Sequence, residues 1–136
     1  MSMNEFCNCY AIRKISAKIT KIYDNSLKKS GLKITQYAIL RTISILKSTN
    51  LNNLAFSLGY NRSTLGRNIK ILERKKLINL NVGKDKREVK ITVTNDGMKI
   101  LKVARKCWEK INNKTTIYLG INKKKMLEEI LNDKII

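Results

Sequence analysis

Apolar residues return at helical spacing along most of the chain, and the phase of that spacing breaks at a few polar or glycine positions. Ile12, Ile15, Ile19, Ile22 and Tyr23 recur every three or four residues, which predicts a helix from about Glu5 to Lys29 with Gly31 suited to cap its end. Tyr37, Ile39, Leu40, Ile43 and Leu46 mark a second helix, with Thr35 as its N-cap. Asn50 caps a short third helix over Leu51 to Leu58, Gly59 breaks it, and Asn61 caps a fourth that carries Leu65, Ile69 and Leu72. The alternation then changes to every second residue: Ile78, Leu80 and Val82 are separated by Asn79 and Asn81, and Val89, Ile91 and Val93 by Lys90 and Thr92. These are two strands joined by a hairpin tip, GKDKRE, from Gly83 to Glu88. Helical spacing resumes after Thr94 with Ile100, Leu101, Ala104, Cys107, Trp108 and Ile111, and Asn122 opens a last helix with Met126, Leu127, Ile130 and Leu131. The pattern predicts a mainly α chain with a small β-hairpin (α+β), organised as one domain over residues 1–136.

The fourth helix has two different sides. At about 100° per residue, Leu65, Ile69 and Leu72 share one face while Ser63, Arg67, Lys70 and Arg74 cluster opposite. The order helix, helix, helix, strand, hairpin, strand between Thr35 and Thr94 is that of a winged helix-turn-helix, placed at about residues 34–94. The stretch LNNLAFSLGYNRSTL supports it. Ala55 is small where two helices cross, Gly59 permits a left-handed turn, and Leu65 plugs the second helix of the pair into the core. In such a unit the cationic face lies in a DNA major groove and the hairpin reaches along the backbone toward a minor groove.

Charge sharpens this reading. The chain carries 29 Lys and Arg against 10 Asp and Glu, a formal net charge of +19. Ten of the basic residues fall between Arg62 and Lys90, against only Glu73, Asp85 and Glu88, so the excess forms a local patch suited to a polyanionic partner. Histidine is absent and no Gly-rich phosphate loop appears, which argues against an enzyme and against a bound cofactor. Cys7-x-Cys9 with a distant Cys107 is a poor metal site, and three cysteines read more easily as thiols than as a disulfide framework. No apolar run reaches a membrane-spanning length, and the start, MSMNEFCNCY, lacks a basic and then apolar leader, so the expected location is cytoplasmic with no membrane partner. A basic RNA-binding or ribosome-associated module is the alternative, although no aromatic RNA platform or Gly-x-x-Gly loop is present. A peripheral membrane protein resting on a basic amphipathic helix is a third reading.

The outer helices favour a second copy of the chain over the alternative, a monomer that folds them onto its own winged helix. A helix from Asn95 to about Tyr118 runs about 36 Å at ~1.5 Å per residue, longer than a compact core of this size covers. The first and last helices also carry apolar faces, and residues of about 5–30 and 95–136 are therefore expected to bury one another across a two-fold axis as dimerisation helices.

In order and spacing, GLKITQYAIL, LNNLAFSLGYNRSTLGRNIKILERKKLI, KDKREVKITVTNDGMKIL and the Trp108 region resemble the second helix, recognition unit, wing and dimerisation helix of the MarR-type transcriptional regulators. The resemblance implies a homodimer that binds a pseudo-palindromic operator in double-stranded DNA, usually as a repressor, and is released by a small-molecule or oxidant effector. The candidate DNA-binding residues are Asn61, Arg62, Ser63, Thr64, Arg67, Asn68, Lys70 and Arg74 on the fourth helix and Lys84, Asp85, Lys86 and Arg87 on the wing. By the family's pattern Asp85 braces the loop and Arg87 enters the minor groove. Gly66 departs from that pattern, since such helices often carry Thr or Ser there, and it removes a base or phosphate contact. From Cys9 to Tyr37 the spacing is similar to the organic-hydroperoxide-sensing branch, with Gly31-Leu32 and Gln36-Tyr37 following Cys9 without a gap, although Arg13 stands where that branch usually has a second tyrosine. A helix N-terminus with Arg13 and Lys14 one turn on favours a nucleophilic thiolate at Cys9, and Tyr37 is placed to donate a hydrogen bond to it. Cys7 is an extra thiol beside it. Two other readings stay open: Cys9 as a small apolar filler, and release by an aromatic small molecule bound between helices.

Overall fold

The computed structural model describes residues 5–85 and 88–134, and its centre is helix α2, Ile34–Leu46. Tyr37, Ile39, Leu40 and Ile43 are buried, as their spacing predicts, but Leu46 is exposed because the helix ends there and the chain turns away through Lys47 at φ 65°. The start of α2 also differs from expectation. Lys33 is the N-cap and Thr35 lies inside the helix. One side chain of its own first turn and one from outside satisfy the orphan donors: Gln36 Oε1 accepts from the Lys33 N–H at 3.1 Å, and Asp24 Oδ1 accepts from the Ile34 N–H at 2.8 Å. Asp24 belongs to helix α1, Asn8–Ser26, which is shorter at both ends than the predicted span. Cys7 Sγ accepts from the Tyr10 N–H at 3.4 Å at its start. At its end the fully buried Leu27 anchors a change to a 3-10 turn, Lys28–Ser30, closed by Gly31 at φ 75°.

Helices α3, Leu51–Leu58, and α4, Arg62–Arg74, begin where the caps place them. Asn50 Oδ1 accepts from the Asn53 N–H at 2.8 Å and Asn61 Oδ1 from the Thr64 N–H at 2.7 Å, while Gly59 adopts φ 67° between the two helices. Leu54, Leu65 and Leu72 have no exposure and join Ile39, Leu40 and Ile43 in the core. Strands β1, Ile78–Val82, and β2, Val89–Val93, pair antiparallel with Ile78 opposite Val93 and Val82 opposite Val89. The alternation is realised on the inner side at Ile78 and Ile91, whereas Val82 runs out toward the tip and is exposed. Ile91 also exchanges backbone hydrogen bonds with Thr49, at 3.1 and 2.7 Å, so the residue before the α3 cap forms a third edge of the small sheet. The arrangement is the winged helix that the element order predicts.

Helix α5, Asn95–Asn132, is one long element interrupted at Gly120, whose φ of 70° and ψ of 176° are not helical. The predicted boundary between two helices therefore falls at Gly120 and not at the cap expected from Asn122. Thr94 opens α5, accepting from the Gly97 N–H at 2.9 Å and donating to the Lys76 carbonyl at 2.7 Å. Ala104 is fully buried, and Ile100, Leu101, Cys107 and Trp108 pack half-buried against the core. Tyr23 Oη ties α1 to α5 through Asn112 Oδ1 and Thr115 Oγ1, both at 2.8 Å.

Two helical glycines meet opposite surroundings. A Cβ at Gly66 has open space around it, whereas one at Gly97 overlaps the Leu77 carbonyl oxygen and lies 2.7 Å from Val93 Cγ1. Gly66→Ala is therefore expected to stabilise the fold by about 0.5 to 1 kcal/mol through helix propensity. Gly97→Ala is expected to destabilise it by roughly 1 to 3 kcal/mol through overpacking. Urea unfolding followed by circular dichroism reads both, and shifts of the same sign would contradict the packing at Gly97.

Candidate nucleic-acid interface

Helix α4 separates a packed face from a cationic one. Leu65, Ile69 and Leu72 are buried, and Ser63, Arg67, Lys70 and Arg74 are all exposed on the opposite side. Asn61 is committed to the cap, and Thr64, whose N–H that cap uses, is half-buried. The Arg62 guanidinium hydrogen-bonds Asn52 Oδ1, which binds the start of α4 to α3. Together with Gly66, Lys70 and Glu88 it lines a cleft of about 400 Å³ between α3, α4 and the hairpin. Asn68 sits differently from the groove-facing set with which the sequence grouped it. It is half-buried and turned toward α2, its Nδ2 donating to the Thr64 carbonyl at 2.9 Å and its Oδ1 accepting from Gln36 Nε2 at 3.4 Å.

The hairpin extends this cationic side. Lys84 and Asp85 are exposed just beyond β1, and the tip is closed by the Gly83 N–H on the Glu88 carbonyl and the Glu88 N–H on the Asp85 carbonyl, both 3.0 Å. Lys86 and Arg87, the other two wing candidates, lie outside the described residues.

The candidate switch residues are not brought together within the chain. Cys7 and Cys9 are free and exposed, so Cys9 fills no gap in the chain's own core, and Cys107 is half-buried. Cys7, not Cys9, occupies the cap position of α1. Tyr37 is 3% exposed and packs on Trp108 with ring centroids 6.2 Å apart. Among the described residues of the single chain no hydrogen bond joins Tyr37 to Cys9. Burial pushes the Tyr37 phenol above its ordinary pKa, with Arg41 and Arg105 pulling it down and Glu109 adding to the rise. An open groove of about 350 Å³ does run between α1 and α5, lined by Ile15, Ile19, Ile22, Ile111 and Tyr118 with Lys18 and Lys114 beside them.

Sequence reasoning missed the residues that seat α4. Gln36 meets it in the middle, and Lys75 Nζ donates to the Gly31 carbonyl at 2.7 Å at its end. The pattern of helical spacing holds no sign of either, because both contacts join residues more than thirty positions apart.

No helix among the described residues is long and apolar enough to cross a membrane. The family model described as transcriptional regulator SarA/Rot matches residues 2–103. Comparison with curated proteins gives no match. Among solved structures, the chain is similar to the transcriptional regulator MosR of M. tuberculosis in complex with DNA, with a TM-score of 0.84 and 30% identity over 93% of this chain and 92% of that one. It is also similar to the S. aureus MepR–DNA complex, with a TM-score of 0.79 and 23% identity over 93% and 94% of the two chains. A mutant MarR from E. coli complexed with operator DNA gives a TM-score of 0.79 and 19% identity over 90% and 89%. At these lower identities the likeness to MepR and MarR is one of fold.

Proposed function

The chain belongs to the SarA/Rot family of transcriptional regulators and has the MarR-type winged-helix fold, and from that premise we propose that it binds a pseudo-palindromic operator in double-stranded DNA as a homodimer and acts as a repressor. The observation that carries this reading is the row Ser63, Arg67, Lys70 and Arg74, exposed on a helix whose opposite face is locked into the core. A helix held so firmly from behind presents its charges as a rigid edge to a major groove. In this assignment Arg67 reads a base edge with Ser63 and Thr64 beside it, Lys70 and Arg74 hold phosphates, and Arg62 braces the unit through Asn52. Lys84, Asp85, Lys86 and Arg87 take the wing to the adjacent minor groove. The regulators MosR, MepR and MarR, which share this fold, have each been crystallised with DNA.

The dimer is supported by what α1 and the distal part of α5 leave uncovered. Ile12 and Ile15 on α1 are 63% and 59% exposed, and Ile117, Tyr118, Ile121 and Leu131 on α5 are 75% exposed or more. Apolar surface of this extent on two neighbouring helices needs a partner, and a two-fold related copy offers the same surface in return. Release by an oxidant is supported by the exposure of Cys9 and Cys7 at the start of α1, close to that surface. In this scheme an organic hydroperoxide transfers an oxygen to the Cys9 thiolate, leaving a sulfenic acid and an alcohol. A second thiol, from the other subunit or a small molecule, then displaces water to form a disulfide.

Titration of a duplex selected from a random library by the wild-type protein, against an unselected duplex at several salt concentrations, tests the interface. Arg67→Ala is expected to cost about 1 to 3 kcal/mol on the selected duplex and to relax the preference. Lys70→Ala and Arg74→Ala are expected to weaken both duplexes and to lower the salt slope by about 1 each. An Arg67→Ala protein of unchanged affinity removes this face from the interface. For the dimer, Ile121→Glu is expected to give a folded monomer by sedimentation equilibrium with at least about tenfold weaker operator binding; a variant that stays dimeric locates the interface elsewhere. For the switch, organic hydroperoxide is expected to release the wild type and to leave Cys9→Ser bound. Equal behaviour of the two proteins excludes Cys9.

A further inference from the structure

We propose that Gln36, a side chain of α2 that faces no DNA, is the positioning residue that sets the seat of α4 and through it the discrimination between DNA sequences; the proposal rests on the DNA-binding reading above. Gln36 is 5% exposed, and a buried carboxamide is tolerated only when both its ends are satisfied. Here they are, and the partners fix which end is which. The Lys33 N–H can only donate, so Gln36 Oε1 faces it at 3.1 Å and Nε2 faces Asn68 Oδ1 at 3.4 Å. Asn68 in turn spends its Nδ2 on the Thr64 carbonyl at 2.9 Å. The chain of amides thus starts at the first turn of α2 and ends on the α4 backbone between Ser63 and Arg67.

The contacts that bury α4 against the core are apolar, through Leu65, Ile69 and Leu72. Packing of that kind opposes separation of the helices more strongly than a small roll about the axis, because the attraction itself has no preferred direction. A hydrogen bond between two oriented amides does not tolerate the roll. A second polar tie, Lys75 Nζ on the Gly31 carbonyl at 2.7 Å, holds the far end of α4 to the corner that precedes α2. A third, the exposed Arg62 guanidinium on Asn52 Oδ1, joins its first turn to α3. Of the three ties, the one at Gln36 joins a buried side chain of α2 to the turn of α4 that carries Arg67. A roll of α4 moves Arg67 relative to a base edge, where a bidentate pair demands its full geometry, but leaves a phosphate within reach of a flexible lysine. Loss of the amide bridge therefore lowers discrimination and spares non-specific affinity.

The experiment uses the full chain and two duplexes, one selected by the wild type from a random library and one unselected, with stability followed by urea unfolding. Gln36→Leu is expected to reduce the ratio of the two affinities by about tenfold while affinity for the unselected duplex stays within about twofold. Asn68→Leu is expected to do the same, the double variant to lose no more than either single one, and the exchange Gln36→Asn with Asn68→Gln to recover most of the ratio. In the free protein, the Asn68 side-chain amide proton resonances are expected to shift in Gln36→Leu. Additive losses, an unchanged ratio in Gln36→Leu, or an equal loss on both duplexes each overturn the positioning role. A wild type without preference for its selected duplex overturns the DNA-binding reading itself, and that result is visible before any variant is made.

Discussion

One helix of thirteen residues, α2, has to serve as packing floor for everything else. It touches α1, α3, α4, β2 and α5, and Ile39, Leu40 and Ile43 retain no exposure at all. Because protein interiors are close-packed and only weakly compressible, an element in this position cannot shift without moving its neighbours. Helix α4 lies against one side of it and the long outer helix α5 against another. The two regions assigned to recognition and to association are thus joined by a shared wall, and the polar ties at Asp24, Gln36 and Lys75 stiffen the same corner.

Charge sets a second condition. With a net charge of +19 the folded chain repels itself, and exposed pairs such as Arg105 with Glu109 at 3.1 Å return little. Cohesion comes from the aliphatic core, while the cationic residues of α4 and the hairpin stand outside it. Binding a polyanion relieves the repulsion, so in the proposed function the ligand of the interface is also a stabiliser of the fold.

The architecture was legible from sequence wherever a local rule decided it. Asn50, Gly59, Asn61 and Thr94 mark helix ends through contacts of a few residues, and the two strands announce themselves by alternation. Long-range or non-standard backbone decisions were not legible. Thr35 reads as a cap, but Asp24, ten residues upstream of Ile34, supplies the acceptor through space. The end of α4 has no glycine: Lys76 takes φ 60° and the Leu77 N–H returns to the Leu72 carbonyl at 3.0 Å, an ending that glycine usually serves. The candidate site divides the same way. Helical phase alone placed Ser63, Arg67, Lys70 and Arg74 on one exposed face, but Asn68 could be assigned inward only once Gln36 was known to face it. Cys9 and Tyr37, related by spacing, are not joined in the folded chain because Tyr37 is held under Trp108.

That tryptophan is the chain's single one, and it stands on the seam between α2 and α5 with Tyr37 at 6.2 Å and the Arg41 guanidinium 5.8 Å from its ring. An indole's emission responds to a cation over its face and to the polarity of its surroundings. The molecule therefore carries its own optical gauge at the seam that joins its two halves: any event that slides α2 along α5, whether a bound duplex or an oxidised thiol, changes the colour or yield of that one fluorophore with no added label.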